Sequence, residues 1–215
     1  MNIESNQYIN ELKKNDSRHP EWITKLEEEA RQEHVPIMEQ SGIEFLLQIL
    51  RLHQPKRILE IGTAIGYSAL RMHEVLPHAS IVTIERDEKR YQRAVTNISE
   101  YGIYNQFRLI LGDAHVEMDE MIQQGMLFDC IFIDASKGQY EKFFEAADSL
   151  LKSGGIIITD NVLFRGYVID DTEVPKRYVN MVKKLRRYND MLYSNPKYVS
   201  NIVPIGDGVA ISIKQ

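Results

Sequence analysis

The sequence predicts an α/β fold, a doubly wound and mostly parallel seven-stranded sheet that ends in an antiparallel hairpin. Three observations carry this expectation. Near-continuous apolar runs (RILEI, SIVTI, FRLIL, FDCIFI and GIIIT) recur between stretches of helical period, the pattern of parallel strands buried on both faces. The first run leads directly into a glycine turn, IGTAIG, and then into a helix-like stretch. Near the end, Tyr198 to Pro204 and Val209 to Lys214 flank Gly206-Asp207-Gly208, a hairpin signal.

In chain order, residues 3–14 and 20–34 read as helices, the second opening at His19-Pro20, and Pro36 breaks the pattern. Residues 39–53 carry an apolar face of Ile43, Leu46, Leu47 and Leu50, and Pro55 ends that helix. Strand 57–61 follows, then helix 66–76, strand 80–84, helix 87–101, strand 107–111, helix 114–124 and strand 128–133. Helix 139–151 leads through a turn at Ser153-Gly154-Gly155 to strand 155–159, and a long helix over 172–192 precedes the hairpin. The chain of 215 residues suits a single domain, 1–215, with residues 1–34 as a helical extension.

Composition narrows the function. A 43% hydrophobic share supports a sizeable core, and no apolar run approaches the roughly 20 residues of a membrane helix. The polar N-terminal stretch lacks the apolar centre of a signal peptide, and the single cysteine, Cys130, lies in an apolar strand. A cytoplasmic protein without membrane attachment is expected. Net charge is −5, so the chain as a whole is not a basic nucleic-acid binder.

Ligands of open parallel sheets bind beyond the carboxyl ends of the strands. There the sequence delivers the turn Gly62–Gly66, Glu85, Asp113-Ala114, Asp134 with Lys137, and Asp160-Asn161. A strand, glycine turn and helix start aim backbone amides and the positive helix end at an anionic or carboxylate-bearing ligand. A lone Asp at a strand end is often only the cap of the next helix, an alternative that stands beside a ligand role for Asp113 and, less strongly, for Asp134. Glu85, 23 residues past Gly62, suits a ribose diol. The spacing Gly62 to Gly66 lacks the G-x-G-x-x-G of a dinucleotide site, and Glu60 suits an ammonium group better than a diphosphate. S-adenosylmethionine, with a ribose diol, an amine, a carboxylate and no phosphate, fits, and NAD fits poorly. Asp134, Asp160 and Asn161 are hard oxygen donors of the kind Mg²⁺ or Ca²⁺ takes, whereas the dispersed histidines give no zinc site.

The strings LEIGTAIGYSA, GDA, DASKGQY, TDNVLFRG and GDGVAISIK, together with Glu85, resemble the divalent-metal-dependent O-methyltransferases, which include catechol and caffeoyl-CoA O-methyltransferases. The likeness runs from about Val35 to Lys214 and implies an S-adenosylmethionine methyltransferase of Rossmann-like fold, in a homodimer. It further implies that Gly62 and Ser68 hold the methionine portion of the cofactor and Glu85 the ribose, with Ile37 and Glu60 as further cofactor-binding residues. Asp113 and Ala114 would flank the adenine, with His115 close by. Asp134, Asp160 and Asn161 would bind Mg²⁺, Asp134 would also touch the cofactor amine, and Lys137 would be the general base. One departure is that Ala135 and Ser136 stand where the family carries bulky or aromatic residues, which opens the cofactor rim.

For the acceptor, residues 172–192 place Val174, Tyr178, Met181, Val182, Leu185, Tyr188 and Leu192 on one helical face and Lys176, Arg177, Lys183, Lys184, Arg186 and Arg187 opposite. From Leu163 to Lys197 eight Lys or Arg face four acids, a net +4, and Arg165 lies four residues past Asn161. The bland alternative is a solvated helix back. A basic rim on a lone catalytic domain suits a structured RNA loop, with Arg165, Lys183, Lys184, Arg186 and Arg187 as its contacts and Lys13, Lys14 and Arg18 as further contributors to the field. Within the family the sequence is similar to the bacterial methyltransferases of 5-hydroxyuridine in tRNA, which implies the tRNA anticodon loop as partner and 5-methoxyuridine at the wobble position as product. 5-Hydroxyuracil sets its C4 carbonyl beside its C5 hydroxyl, a chelating pair like that of a catechol, and the open Ala135-Ser136 rim would admit a flipped base. A small-molecule catechol or caffeoyl-CoA enzyme, and a non-catalytic RNA-binding protein on the same fold, are the alternatives.

Overall fold

Seven strands form one sheet in the order β3-β2-β1-β4-β5-β7-β6. They are β1 (Arg57–Ile61), β2 (Ser80–Glu85), β3 (Phe107–Leu111), β4 (Phe128–Ile133), β5 (Leu151–Thr159), β6 (Tyr198–Val203) and β7 (Val209–Lys214). The first five are mutually parallel, and β7 runs antiparallel between β5 and β6. The expected sheet is therefore present in full. The structure is a computed structural model that describes Tyr8, residues 20–101, 104–170, Thr172 and 174–215. The expected helix over 3–14, and Lys13, Lys14 and Arg18, lie outside the described residues except for Tyr8.

The chain divides into two units, Met1–Ile37 and Met38–Gln215. In the first, helix α1 (Glu21–Gln32) buries Ile23, Leu26 and Ala30, and Ile37 closes the unit, half-buried. The second holds the sheet and helices α2 (Gln40–His53), α3 (Tyr67–Val75), α4 (Glu88–Glu100), α5 (Ala114–Gln123), α6 (Tyr140–Leu150) and α7 (Val179–Ser194). The predicted apolar stripe of α2, Ile43, Leu46, Leu47 and Leu50, is buried. That helix stops at His53, two residues before Pro55, because Gln54 turns left-handed (φ 53°) and returns its amide to the Leu50 carbonyl at 2.8 Å. Asp87 and Asp113 cap α4 and α5 by accepting the amides of Arg90 at 2.9 Å and His115 at 3.0 Å.

Two expectations need correction. Ser153-Gly154-Gly155 does not separate a helix from a strand. It is a bulge inside β5, whose register against β4 jumps between the Phe128↔Leu151 and Cys130↔Ile156 pairs. The long helix over 172–192 is also shorter at its start. Pro175 is extended (ψ 139°), a 3-10 turn covers Lys176–Tyr178, and α7 begins at Val179 and runs to Ser194. Its predicted apolar face survives, with Val182, Leu185, Tyr188 and Leu192 buried among Tyr140, Phe144 and Tyr198. No helix of the described residues is long and apolar enough to cross a membrane.

Leu185 is fully buried where α7 meets this core. Leu185→Ala is expected to cost about 2–5 kcal/mol through lost burial and the cavity left behind. Denaturant unfolding of the variant checks this.

Candidate active site

The sheet order places β1 beside β4, with the chain crossing to opposite sides from there, so a crevice opens at the carboxyl ends of these two strands. Gly62 forms its floor. Its φ is +100°, and a Cβ added there would stand 2.0 Å from the carbonyl oxygen of Asp134. Only glycine lets the turn after β1 lie against the turn after β4. The Asp134 amide in turn donates to the Ile61 carbonyl at 3.0 Å.

The glycine turn is less open than its sequence suggests. Gly62 and Thr63 donate their amides to the Ile84 carbonyl, Gly66 donates to the Thr63 carbonyl, and Ala64 donates to Glu85 Oε2 at 2.9 Å. Glu85 Oε1 also accepts the amides of Arg86 at 3.0 Å and Asp87 at 2.9 Å. A carboxylate offers about four acceptor positions, so about one is left on Glu85 for a ligand hydroxyl. Its first role is to tie the turn after β1 to the turn after β2.

Glu60 does not line the mouth, as the sequence suggested. It is 0% exposed, beneath the turn, where it accepts hydrogen bonds from Ser68 Oγ and from Thr83 Oγ1 at 2.6 Å. Thr63 Oγ1 lies 2.5 Å from Thr83 Oγ1 and donates to it, which makes a chain of hydroxyls that ends on the carboxylate. Burial pushes the Glu60 carboxyl up from its ordinary 4.5 to about 8, against the pull of both hydroxyls and with help from the charges of Asp134 and Glu85.

On the other wall, Asp160 is 3% exposed and Asp134 keeps a half-buried surface at the crevice while its carboxyl is desolvated. Burial raises both groups, Asp160 to about 8 with the Asp134 charge adding to the effect, and Lys137 pulls both down. Asn161, left-handed at φ 58°, accepts Lys137 Nζ on its Oδ1 at 2.7 Å and gives its amide to Asp160 Oδ1 at 2.7 Å. Lys137 Nζ also lies 5.8 Å from the centre of the Phe164 ring. The structure thus brings together Asp134, Lys137, Asp160 and Asn161.

Asp113 acts as the cap of α5, and Ala114 and His115 follow at its first turn. His115 stacks on Phe143 at 4.4 Å, and its Nε2 sits 2.6 Å from Gln139 Oε1, which links α5 to the turn that carries Lys137. Ala135 is half-buried and Ser136 exposed. Ile37 belongs to the N-terminal unit.

Sequence reasoning missed several participants. Tyr140 OH donates to the Asp160 carbonyl at 3.0 Å, and Asn189 Nδ2 donates to the Val162 carbonyl at 3.0 Å. Phe164, Tyr167 and Tyr178 form an aromatic cluster with ring centres 5.2 to 6.4 Å apart, and the Arg177 guanidinium lies 4.6 Å from the Tyr178 ring. Of these tyrosines only Tyr178 was visible in the sequence, as a member of a helical face.

The basic residues divide. Arg165, Lys176, Arg177, Lys183, Lys184 and Arg187 are exposed. Three of the expected RNA contacts have intramolecular work: Lys184 Nζ donates to the Gly138 carbonyl at 3.2 Å, Arg186 Nε to the Val168 carbonyl at 2.9 Å, and Arg187 pairs with Glu141 at 3.4 Å.

The donor set of Asp134, Asp160 and Asn161 fits a hard divalent cation. Burial raises the proton affinity of both carboxylates, the Asp134 charge adds to that of Asp160, and the nearby ammonium of Lys137 leaves both raised, so positive charge is what the pair lacks. The Asn161 carbonyl oxygen has two lone pairs, and Lys137 takes only one. Among the described residues no three His, Cys, Asp or Glu gather as a metal group, consistent with a set whose third donor is an amide.

Glu60 gives the site a pH signature. Folded protein holds its proton up to about pH 8, whereas the unfolded chain releases it near 4.5, so its contribution to stability is lost as pH rises across that window. Glu60→Gln is expected to flatten this fall, so that the variant gains on the unsubstituted protein from about pH 4.5 to 8 in thermal unfolding. Parallel melting curves across the window would contradict the assignment.

Residues 13–215 match the profile of the O-methyltransferase family. The chain is 35% identical over 176 residues to the catechol O-methyltransferase of Niastella koreensis, covering 79% of this chain and 78% of that one. A solved structure from Staphylococcus aureus, provisionally assigned as a caffeoyl-CoA O-methyltransferase, superposes with a TM-score of 0.88 at 39% identity over 100% of both chains. An O-methyltransferase from Bacillus cereus, solved in complex with SAH, superposes with a TM-score of 0.84 at 25% identity over 97% and 96% of the two chains. By its matched length and by these relatives, the chain belongs to the O-methyltransferase family.

Proposed function

We propose that the protein is a metal-assisted, S-adenosylmethionine-dependent O-methyltransferase that methylates one member of a vicinal oxygen pair, and that its acceptor is 5-hydroxyuridine at the wobble position of tRNA. One observation carries the first part: two desolvated carboxylates and an amide oxygen, Asp134, Asp160 and Asn161, converge beside Lys137 at adjacent strand ends. Support for the cofactor comes from the Gly62 turn, the remaining acceptor position on Glu85 and a relative solved with SAH, the demethylated cofactor. When bound, S-adenosylmethionine supplies an electrophilic methyl group, and a divalent cation supplies Lewis acidity that lowers the pKa of a chelating hydroxyl.

The chain's own residues supply position and proton transfer. Asn161 Oδ1 holds Lys137 Nζ at 2.7 Å, which fixes the direction from which Lys137 would take the acceptor's proton. Tyr140 OH, fully buried, pins the Asp160 backbone and keeps β5's end in register with β4's. Phe164 walls the side next to Lys137, its ring centre 5.8 Å from Nζ. Such positioning supplies much of the rate when a nucleophile must meet a methyl group in line.

The tRNA reading is supported by the acceptor-side rim, where the aromatic cluster of Phe164, Tyr167 and Tyr178 alternates with exposed Arg165, Lys176 and Arg177. Stacking faces beside guanidinium groups are what a splayed base and its phosphates need. The second reading, a small catechol or caffeoyl-CoA ester as acceptor, is favoured by the named relatives and by the internal contacts of Lys184, Arg186 and Arg187. A non-catalytic RNA-binding role is opposed by the intact donor set and Lys137.

Asp160→Ala is expected to lower methyl transfer by about 10³-fold or more while cofactor affinity, read by calorimetry, holds. Undiminished activity in excess EDTA would sink the metal. For the acceptor, an anticodon stem-loop bearing 5-hydroxyuridine is compared with free catechol. The tRNA reading expects preference for the RNA, with binding that falls about tenfold or more between roughly 50 and 200 mM salt. Equal or better turnover of catechol, without salt dependence, would select the small-molecule reading.

A further inference from the structure

The segment that follows Asp160-Asn161 is backbone held against its preference. Phe164 and Arg165 have φ of 38° and 55°, values that side-chain-bearing residues adopt only when surroundings impose them. The imposing element lies more than 40 residues away in sequence, at the β6–β7 connection. The Gly208 carbonyl accepts the Val162 amide at 3.0 Å, and the Asp207 carbonyl accepts the amides of Leu163 at 2.9 Å and Phe164 at 3.2 Å. Asp207 Oδ1 accepts the Arg165 amide at 3.0 Å. Four successive amides of the loop are thus received by two residues of the hairpin. Gly208 is itself left-handed at φ +87°, and a Cβ on it would meet Leu163 Cγ at 2.4 Å, so the two loops are in close contact.

The hairpin does not need the Asp207 side chain for itself. Its own turn is closed by backbone bonds, Ile205 amide to Val203 carbonyl and Gly208 amide to Ile205 carbonyl, both at 2.9 Å. The Asp207 carboxylate is directed out of the hairpin, at the loop that bears Phe164 and Arg165. From α7, Asn189 holds the Val162 carbonyl and Arg186 the Val168 carbonyl, so the loop is gripped from two sides.

We propose that Asp207 is a positioning residue for methyl transfer: its carboxylate, by accepting the Arg165 amide, fixes the loop 162–166 that sets the acceptor against Lys137 and Asn161. This rests on the reading of that loop as the acceptor side. Asp207 touches neither acceptor nor cofactor in this role. An asparagine would preserve the acceptor oxygen, and an alanine would not.

The test uses the full chain with Asp207→Ala and Asp207→Asn. Hydrogen exchange is followed over 160–168, and kcat, acceptor KM and S-adenosylmethionine affinity are measured with the anticodon stem-loop and with catechol. Asp207→Ala is expected to speed exchange at the Arg165 amide about tenfold or more and to lower kcat by about 10- to 100-fold, the scale of a misplacement near one ångström. Cofactor affinity and melting temperature should stay near those of the unsubstituted protein, and Asp207→Asn should restore both exchange and kcat to within about threefold. Unchanged exchange protection in Asp207→Ala, or a loss of kcat matched by equal loss of cofactor affinity and stability, would overturn the positioning role. If the unsubstituted protein methylates neither acceptor, the functional reading falls, and the exchange measurement still decides what Asp207 does to the loop.

Discussion

The contact between Gly62 and the backbone of Asp134 is the constraint on which the site depends. A methyl group at Gly62 would overlap the Asp134 carbonyl oxygen, so the turns after β1 and β4 touch only because one of them has no side chain. That contact brings the glycine turn, Glu85 and Ser68 on one wall into register with Asp134, Asp160 and Lys137 on the other. Parallel pairing of β1 with both β2 and β4 extends the register across the sheet.

Buried carboxylates are concentrated there, and their ionised forms would exceed what the protein offsets. Glu60, Asp134 and Asp160 are all pushed up by burial, and Lys137 is the cation that faces the two aspartates. Such a cluster costs stability when the groups ionise, and buried carboxylates with raised pKa values concentrate at functional sites. The proposed ligands answer it, since a hard divalent cation and a sulfonium with an ammonium group both bring positive charge to the place where it is missing. The left-handed Asn161 and the imposed loop after it belong to the same pattern of strain confined to a site and held by its surroundings.

Much of this was legible in the sequence because apolar runs and glycine turns are local signals. Strand ends gave Glu85, Asp113, Asp134 and Asp160, and Asp113 proved to be the helix cap that local chemistry also allowed. Glu60 was misplaced because a lone acid in an apolar strand looks like a ligand at a mouth. Its hydroxyl partners Ser68 and Thr83 come from a helix and a neighbouring strand, which only the fold brings together. The start of α7 was missed because the apolar period continues through a 3-10 turn that follows Pro175. The grip of Asp207 on the loop after Asn161 was illegible for the same reason as Glu60: G-D-G reads locally as a turn, and its carboxylate acts on a distant segment.

The most direct measurement of the central claim is anomalous scattering from crystals grown with Mn²⁺ and the demethylated cofactor. One manganese peak is expected, bounded by Asp134, Asp160 and the Asn161 side-chain oxygen. A cofactor-bound crystal with no peak at these residues, from protein that methylates its acceptor under the same conditions, would contradict it.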